Sequence, residues 1–247
     1  MARPRTHLRK APIVEAVIDF RVLRESNVSP DTFAGITSSI GEKYSLAESV
    51  HSIEARFGID RGRMIDPAQR RADLGWRYRA GTEVAQFRVD GFTFSKIEPY
   101  TTWEAVFGEA FRLWKIYLEL AKPKELSRIA VRYINRMKVI GNRNINDFLE
   151  APPLLPQPIP PVIRDFLTRV HIADERRSAA AVIVHALEPQ LDPNVMSLLL
   201  DIDAYHENRA VLVPTDPSLP SLFEQLRELK NEVFYAIITE KAAEMYE

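Results

Sequence analysis

The sequence predicts a mixed α+β fold built from two similar halves, and three observations predict it. Stretches with apolar residues at every second position, the period of a half-buried strand, alternate with stretches that keep the 3.6-residue period of an amphipathic helix. Successive strand-like stretches are separated only by short turn signals, which favours antiparallel hairpins over crossover connections. The order strand, helix, three strands, long helix is then read twice, over residues 11–123 and 124–247. The expectation is a single domain, 1–247, of two β-α-β-β-β-α halves, with antiparallel sheets joined around a pseudo-twofold axis and long helices packed on one face.

Val14, Ala16, Ile18, Phe20 and Val22 alternate with Glu15, Asp19 and Arg21, so the first element is a strand. Ser29-Pro30-Asp31 reads as an N-cap, a first-turn proline and a first-turn acid, and Phe33, Ile36, Ile40 and Tyr44 extend it as a helix of about four turns. Extended segments follow at Ser52 to Gly58, Ala72 to Ala80 and Val84 to Ser95, separated by Asp60-Arg61-Gly62, Asp66-Pro67 and Ala80-Gly81-Thr82. A long helix starts near Thr102 with a stripe running from Trp103 to Leu118, and Pro123 stops it.

The second half opens with a strand from Ser127 to Ile140 and a short helix, Asn144 to Leu149, capped by its asparagine. Phe166 to Ile172, Ala179 to Leu187 and Val195 to Tyr205 are further strands, and Pro220 opens a final helix running nearly to Glu247. The run Pro152 to Pro161 is expected to be a stiff polyproline strap inside the second half rather than the joint between halves. The element order resembles the saddle-shaped fold of the TATA-binding protein, a topological likeness that implies nothing about function.

Composition narrows the function classes. The 33 basic and 34 acidic side chains leave a formal charge of -1, without the basic excess that marks the simplest nucleic-acid binders. With no cysteine, disulfides, thiolate metal sites and cysteine nucleophiles are excluded. The basic start (Arg3, Arg5, Arg9, Lys10) is followed by Glu15 and Asp19, which a signal h-region does not tolerate, and no apolar run reaches the ~18 residues of a membrane span. A cytoplasmic location is expected.

Four motifs occur in order: Pro12-Ile13-Val14-Glu15-Ala16-Val17-Ile18-Asp19, Pro99-Tyr100-Thr101-Thr102-Trp103, Arg132-Tyr133-Ile134-Asn135-Arg136, and a terminal helix over Leu226 to Tyr235. Together they resemble a sporadically distributed prokaryotic family of uncharacterised single-domain proteins, across nearly the whole chain. The resemblance implies the domain boundaries and carries no activity.

Nucleotide loops, zinc-protease signatures and hydrolase elbows are missing from the sequence, and its nine glycines give little material for cradling phosphate. Two candidate constellations stand out. Asp201 and Asp203 share one strand face, as two carboxylate ligands of a hard cation would, with His206 on the opposite face and Glu15 and Asp19 as further acids. Arg132 and Arg136 share a face, as do Arg77 and Arg79, with Arg56 and Arg88 on neighbouring strands; guanidinium forks lining a sheet could hold an anion. The competing reading pairs these arginines with Glu15, Asp19, Asp201 and Asp203 across the strands. His171 and His185 read as structural. Trp103, Phe107, Trp114 and Tyr117 read as core, and Phe92 and Phe94 read as core or, if exposed, as a base-stacking pair.

Three functions follow. The first is a non-catalytic binding or regulatory protein with a macromolecular partner, a protein in the first instance, and no cofactor. The second is a metal-dependent hydrolase or nuclease using Asp201 and Asp203. The third is a nucleic-acid binder using Arg77, Arg79, Arg132 and Arg136.

Overall fold

A computed structural model describes residues 8–23, 27–60, 63–141, 144–153, 155–156, 163–189, 192 and 194–247, with side chains described for all of these except 53–60, 63–71 and 207–212. The chain is a mixed α and β structure whose strands form one antiparallel sheet of nine, in the order β2-β3-β4-β5-β1-β6-β9-β8-β7. The strands are β1 (Ile13–Val22), β2 (Leu46–Asp60), β3 (Arg63–Ala80), β4 (Glu83–Arg88), β5 (Gly91–Ile97), β6 (Leu126–Ile140), β7 (Phe166–Asp174), β8 (Ala179–Glu188) and β9 (Val195–Leu212). Moving outward from the central β1–β6 pair, one side runs β5, β4, β3, β2 and the other runs β9, β8, β7.

The alternation in β1 decides how the sheet packs. Ala16, Ile18, Phe20 and Val22 are buried on one side. The Phe20 ring lies 4.3 Å from Trp114 of α2 (Trp103–Ala121) and 4.8 Å from Phe223 of α3 (Leu219–Ile237), so both long helices touch the same residue of the central strand. Phe87, Phe92, Phe33 and Tyr117 extend this aromatic layer, and Phe92 and Phe94 are fully packed within the core. Thr102 caps α2 by accepting from the Ala105 N–H, and Lys122 closes it in the left-handed region just before Pro123.

Several elements differ from the sequence reading. Residues 29–44 do not form one helix. A 3-10 turn over Pro30–Phe33 and a single-turn α1 (Thr37–Ile40) are interrupted by Ala34 in the extended region and Gly35 at φ +66°. Phe33, Ile36, Ile40 and Tyr44 are nevertheless all buried, so the periodicity located the inward residues while the glycine broke the helix. The segment 84–95 is two strands folded back at Val89-Asp90, which gives the first half four strands after its helix rather than three. Asp66-Pro67 lies inside β3, opposite a register shift between Arg56 and Gly58, where the missing proline N–H is tolerated. The turn residues Arg61-Gly62, the basic Arg3 and Arg5, and the strap over 157–161 lie outside the described residues.

The last helix stops at Ile238, and Thr239 caps a separate α4 (Glu240–Glu244) by accepting from the Ala242 N–H while donating to the Asp147 carbonyl. Close by, the Lys10 N–H donates to the Tyr246 carbonyl at 2.9 Å, which ties the start of β1's approach to the last turn of the chain.

β3 pairs with β4 only over Gly75–Ala80, whereas its pairing with β2 continues to Asp60–Arg63. Beyond the sheet, therefore, β2 and β3 form a two-stranded ribbon about 30 Å long at ~3.3 Å per residue.

Candidate functional site

The sheet face that carries Val17, Asp19 and Arg21 on β1 is lined by charges drawn from strands on both sides of the β1–β6 pair. Direct pairing places Thr93 of β5 opposite Asp19, Arg128 of β6 opposite Arg21, and Asp203 of β9 opposite Arg132. At the centre, Thr93 donates to Asp19 at 2.5 Å and itself accepts from Arg88 Nη1 at 2.9 Å. Arg21 Nε donates to Asp19 and its Nη1 donates to Asp90, both at 3.0 Å; Arg88 Nε also donates to Asp90 at 3.0 Å. Arg128 bridges outward, donating to Asp203 at 2.7 Å and to Asp19 at 3.5 Å. Three arginines and three aspartates therefore share one connected cluster, and Asp19 and Arg88 within it are buried.

The sequence-selected residues fall on or beside this cluster. Arg132 grips Asp201 with two parallel bonds of 2.8 and 2.6 Å, a bidentate fork that holds the guanidinium in its charged form more firmly than usual. Arg136 binds Glu188 at 3.1 and 3.3 Å, and Ser197 donates to the same carboxylate at 2.6 Å. Burial works against the ionised Glu188, but Ser197 and Arg136 outweigh it and hold its carboxyl below the ordinary range. Arg77 faces Glu48 at 3.5 Å, while Arg79 lies opposite Leu46 and Val84. The Nε atoms of Arg77 and Arg79 are buried and, among the described residues, unpartnered. The side chain of Arg56 lies outside the described set.

Asp201 and Asp203 do point to one face, as two metal-binding carboxylates would, but each is occupied by an arginine. Among the described residues no group of three His, Asp or Glu side chains is placed to hold a metal ion. Glu15 sits near enough to Arg132 to act on its charge, and Asp19 reaches Asp203 only through Arg128. The chemistry of this face is ion pairing: an incoming anion would have to displace a carboxylate, and an incoming cation would have to displace a guanidinium. Arg128, Asp90, Thr93 and Glu188 are the members that sequence reasoning missed. Arg128 carried a signal, since it lies four residues before Arg132 and shares its face of a regular strand.

Three histidines have described contacts in the second half of the chain. His171 stacks on Tyr205 and exchanges a 2.8 Å bond with its hydroxyl. His185 packs edge-on to Phe166, and burial lowers its pKa. His206 Nδ1 reaches the Ser178 carbonyl at 3.0 Å. Among the described residues no helix is long and apolar enough to cross a membrane. No protein-family model matches the chain, and no curated protein matches its sequence.

Proposed function

We propose that the protein is a non-catalytic binding protein that recognises a macromolecular partner, a protein in the first instance, through its charged sheet face and the β2–β3 ribbon. The ribbon is the observation that carries this reading. A two-stranded hairpin gains little stability alone in water, yet β2 and β3 stay paired for about 30 Å past the end of the β3–β4 pairing, which favours a role in contacting a partner. The cross-paired charges of this face support the same reading, because Arg132 already holds Asp201, Arg128 holds Asp203 and Arg136 holds Glu188. The mirrored strand order around β1–β6 supports a duplication of the halves 11–123 and 124–247 about a pseudo-twofold axis, and membership of the prokaryotic family suggested by the four motifs belongs to the same proposal.

A photo-crosslinking amino acid placed at exposed Ala72 on the ribbon, or at exposed Glu119 on the back of α2, tests it in living cells. The expected result is one defined protein captured from Ala72 and absent from Glu119. Identical capture from both positions would refute the reading, as would turnover of a phosphodiester or ester by the pure protein that Asp201→Asn abolishes. Capture of nucleic acid, with affinity falling steeply as salt rises, would favour the basic-face alternative instead.

A further inference from the structure

One residue breaks the apolar stripe of α3. Lys230 follows Leu226 by four positions and is buried on the same face as Leu226, Leu229 and Val233. Its Nζ lies 3.8 Å from the centre of the Tyr133 ring on β6. The Tyr133 hydroxyl is 2.9 Å from that of Tyr100, and the two rings meet edge to face at 5.5 Å. Tyr100 belongs in turn to the wall of a cavity of about 500 Å³, which it shares with Arg9, Lys10, Ile13, Glu98 and Thr101. A line of contacts therefore runs from the Lys230 amine across the Tyr133 ring to Tyr100, a residue of the cavity wall.

The line has more donors than acceptors. Two phenols carry two protons, and their mutual bond uses one; among the described residues nothing accepts the other. Among those residues, too, no carboxylate or other acceptor partners the three N–H groups of Lys230, and the charged neighbour acting on it is Arg227, one turn earlier. Arg227 is itself held by Glu224 at 2.7 Å. Around the cavity the charges are Arg9 and Lys10 against Glu98, and Glu104 is the other carboxylate acting on the tyrosines. Burial, reinforced by Arg227, pushes the Lys230 amine down to about 7. A methionine would fill this position without that cost.

We propose that the cavity binds a small oxyanion-bearing ligand, a carboxylate or a phosphate, whose oxygen accepts from Tyr100 while Tyr133 donates to Tyr100 and the Lys230 cation lies on the Tyr133 ring. Each group gains from the ligand: the spare phenol proton finds an acceptor, and the lysine finds the negative charge that no other described residue facing it provides. Placing an anion there favours the protonated amine, so binding takes up a proton near neutral pH.

Isothermal titration with inorganic phosphate and, separately, malonate tests the site on the full chain, in two buffers of different ionisation enthalpy near pH 7. One-site binding of at least one probe is expected at millimolar concentration, with proton uptake that Lys230→Met abolishes. Tyr100→Phe should weaken binding by roughly tenfold or more. Preference for phosphate identifies a phosphate ligand, and preference for malonate a carboxylate. Absence of saturable binding by either probe overturns the proposal, as does binding that both variants leave unchanged. Should Lys230→Met fail to fold, Tyr100→Phe alone decides.

Discussion

Asp19 is surrounded by guanidinium groups from Arg21, Arg88 and Arg128, and Thr93 supplies it with a 2.5 Å hydrogen bond. Removing it leaves the buried Arg88 with part of its counter-charge gone, so Asp19→Ala should cost about 3–5 kcal/mol, read from urea unfolding. Asp201→Asn removes a partner from Arg132, which is 46% exposed, and should cost about 1 kcal/mol or less. The order of these two losses tests whether the network is a structural lattice around Asp19. A second carboxylate contributes to stability in acid. Burial disfavours ionised Glu109, but bonds from Arg112, Lys43 and Tyr44 outweigh it and hold the group down to about 2 from its ordinary 4.5. Because the folded value is depressed, the stability that Glu109 contributes is complete above about 4.5 and is lost as pH falls toward 2. Glu109→Gln should flatten that part of the stability profile, measured by thermal unfolding across acid pH.

Among the elements, the β4–β5 hairpin meets the central strand at a close backbone approach. Gly91 sits at φ +146°, and a Cβ there would lie 2.1 Å from the Phe20 carbonyl oxygen of the central strand. Gly91→Ala should therefore destabilise by about 3 kcal/mol or more, seen as a lowered urea midpoint, whereas Gly108→Ala, with open space around its Cβ in α2, should be neutral or mildly stabilising. The same hairpin shows what sequence patterning lost. Val84, Phe87, Phe92 and Phe94 read as one apolar run, and the Asp90-Gly91 pair, a strong turn signal, was overlooked within it. By contrast, the boundaries of α2 were legible because Thr102, the Trp103–Leu118 stripe and Pro123 agree with one another. Burial was more legible than shape: Phe33, Ile36, Ile40 and Tyr44 were correctly read as inward although their helix is broken by Gly35.

Across the whole molecule, the β1–β6 pairing makes the two sides of the sheet continuous, and Phe20 receives a helix from each. One cooperative transition is expected, with tryptophan fluorescence and far-ultraviolet circular dichroism changing together; separated transitions would mean that each side folds by itself. The charged face was only half legible in the sequence. Period-two spacing placed Asp201, Asp203, Arg132 and Arg136 on shared faces. Which acid met which base depended on strand order and register, which no local pattern encodes: Glu188 reaches Arg136 only because β8 and β6 flank β9. Lys230 went unnoticed because helical periodicity marks the stripe and says nothing of a cation lying within it. The bond between Lys10 and Tyr246 has a further consequence, since it sets these two residues within reach of a short bridge. A circular permutant that begins at Lys124 and ends at Pro123 would carry the halves in reversed order yet lay down the same nine strands, with the new bridge taking the place of the natural crossing between α2 and β6.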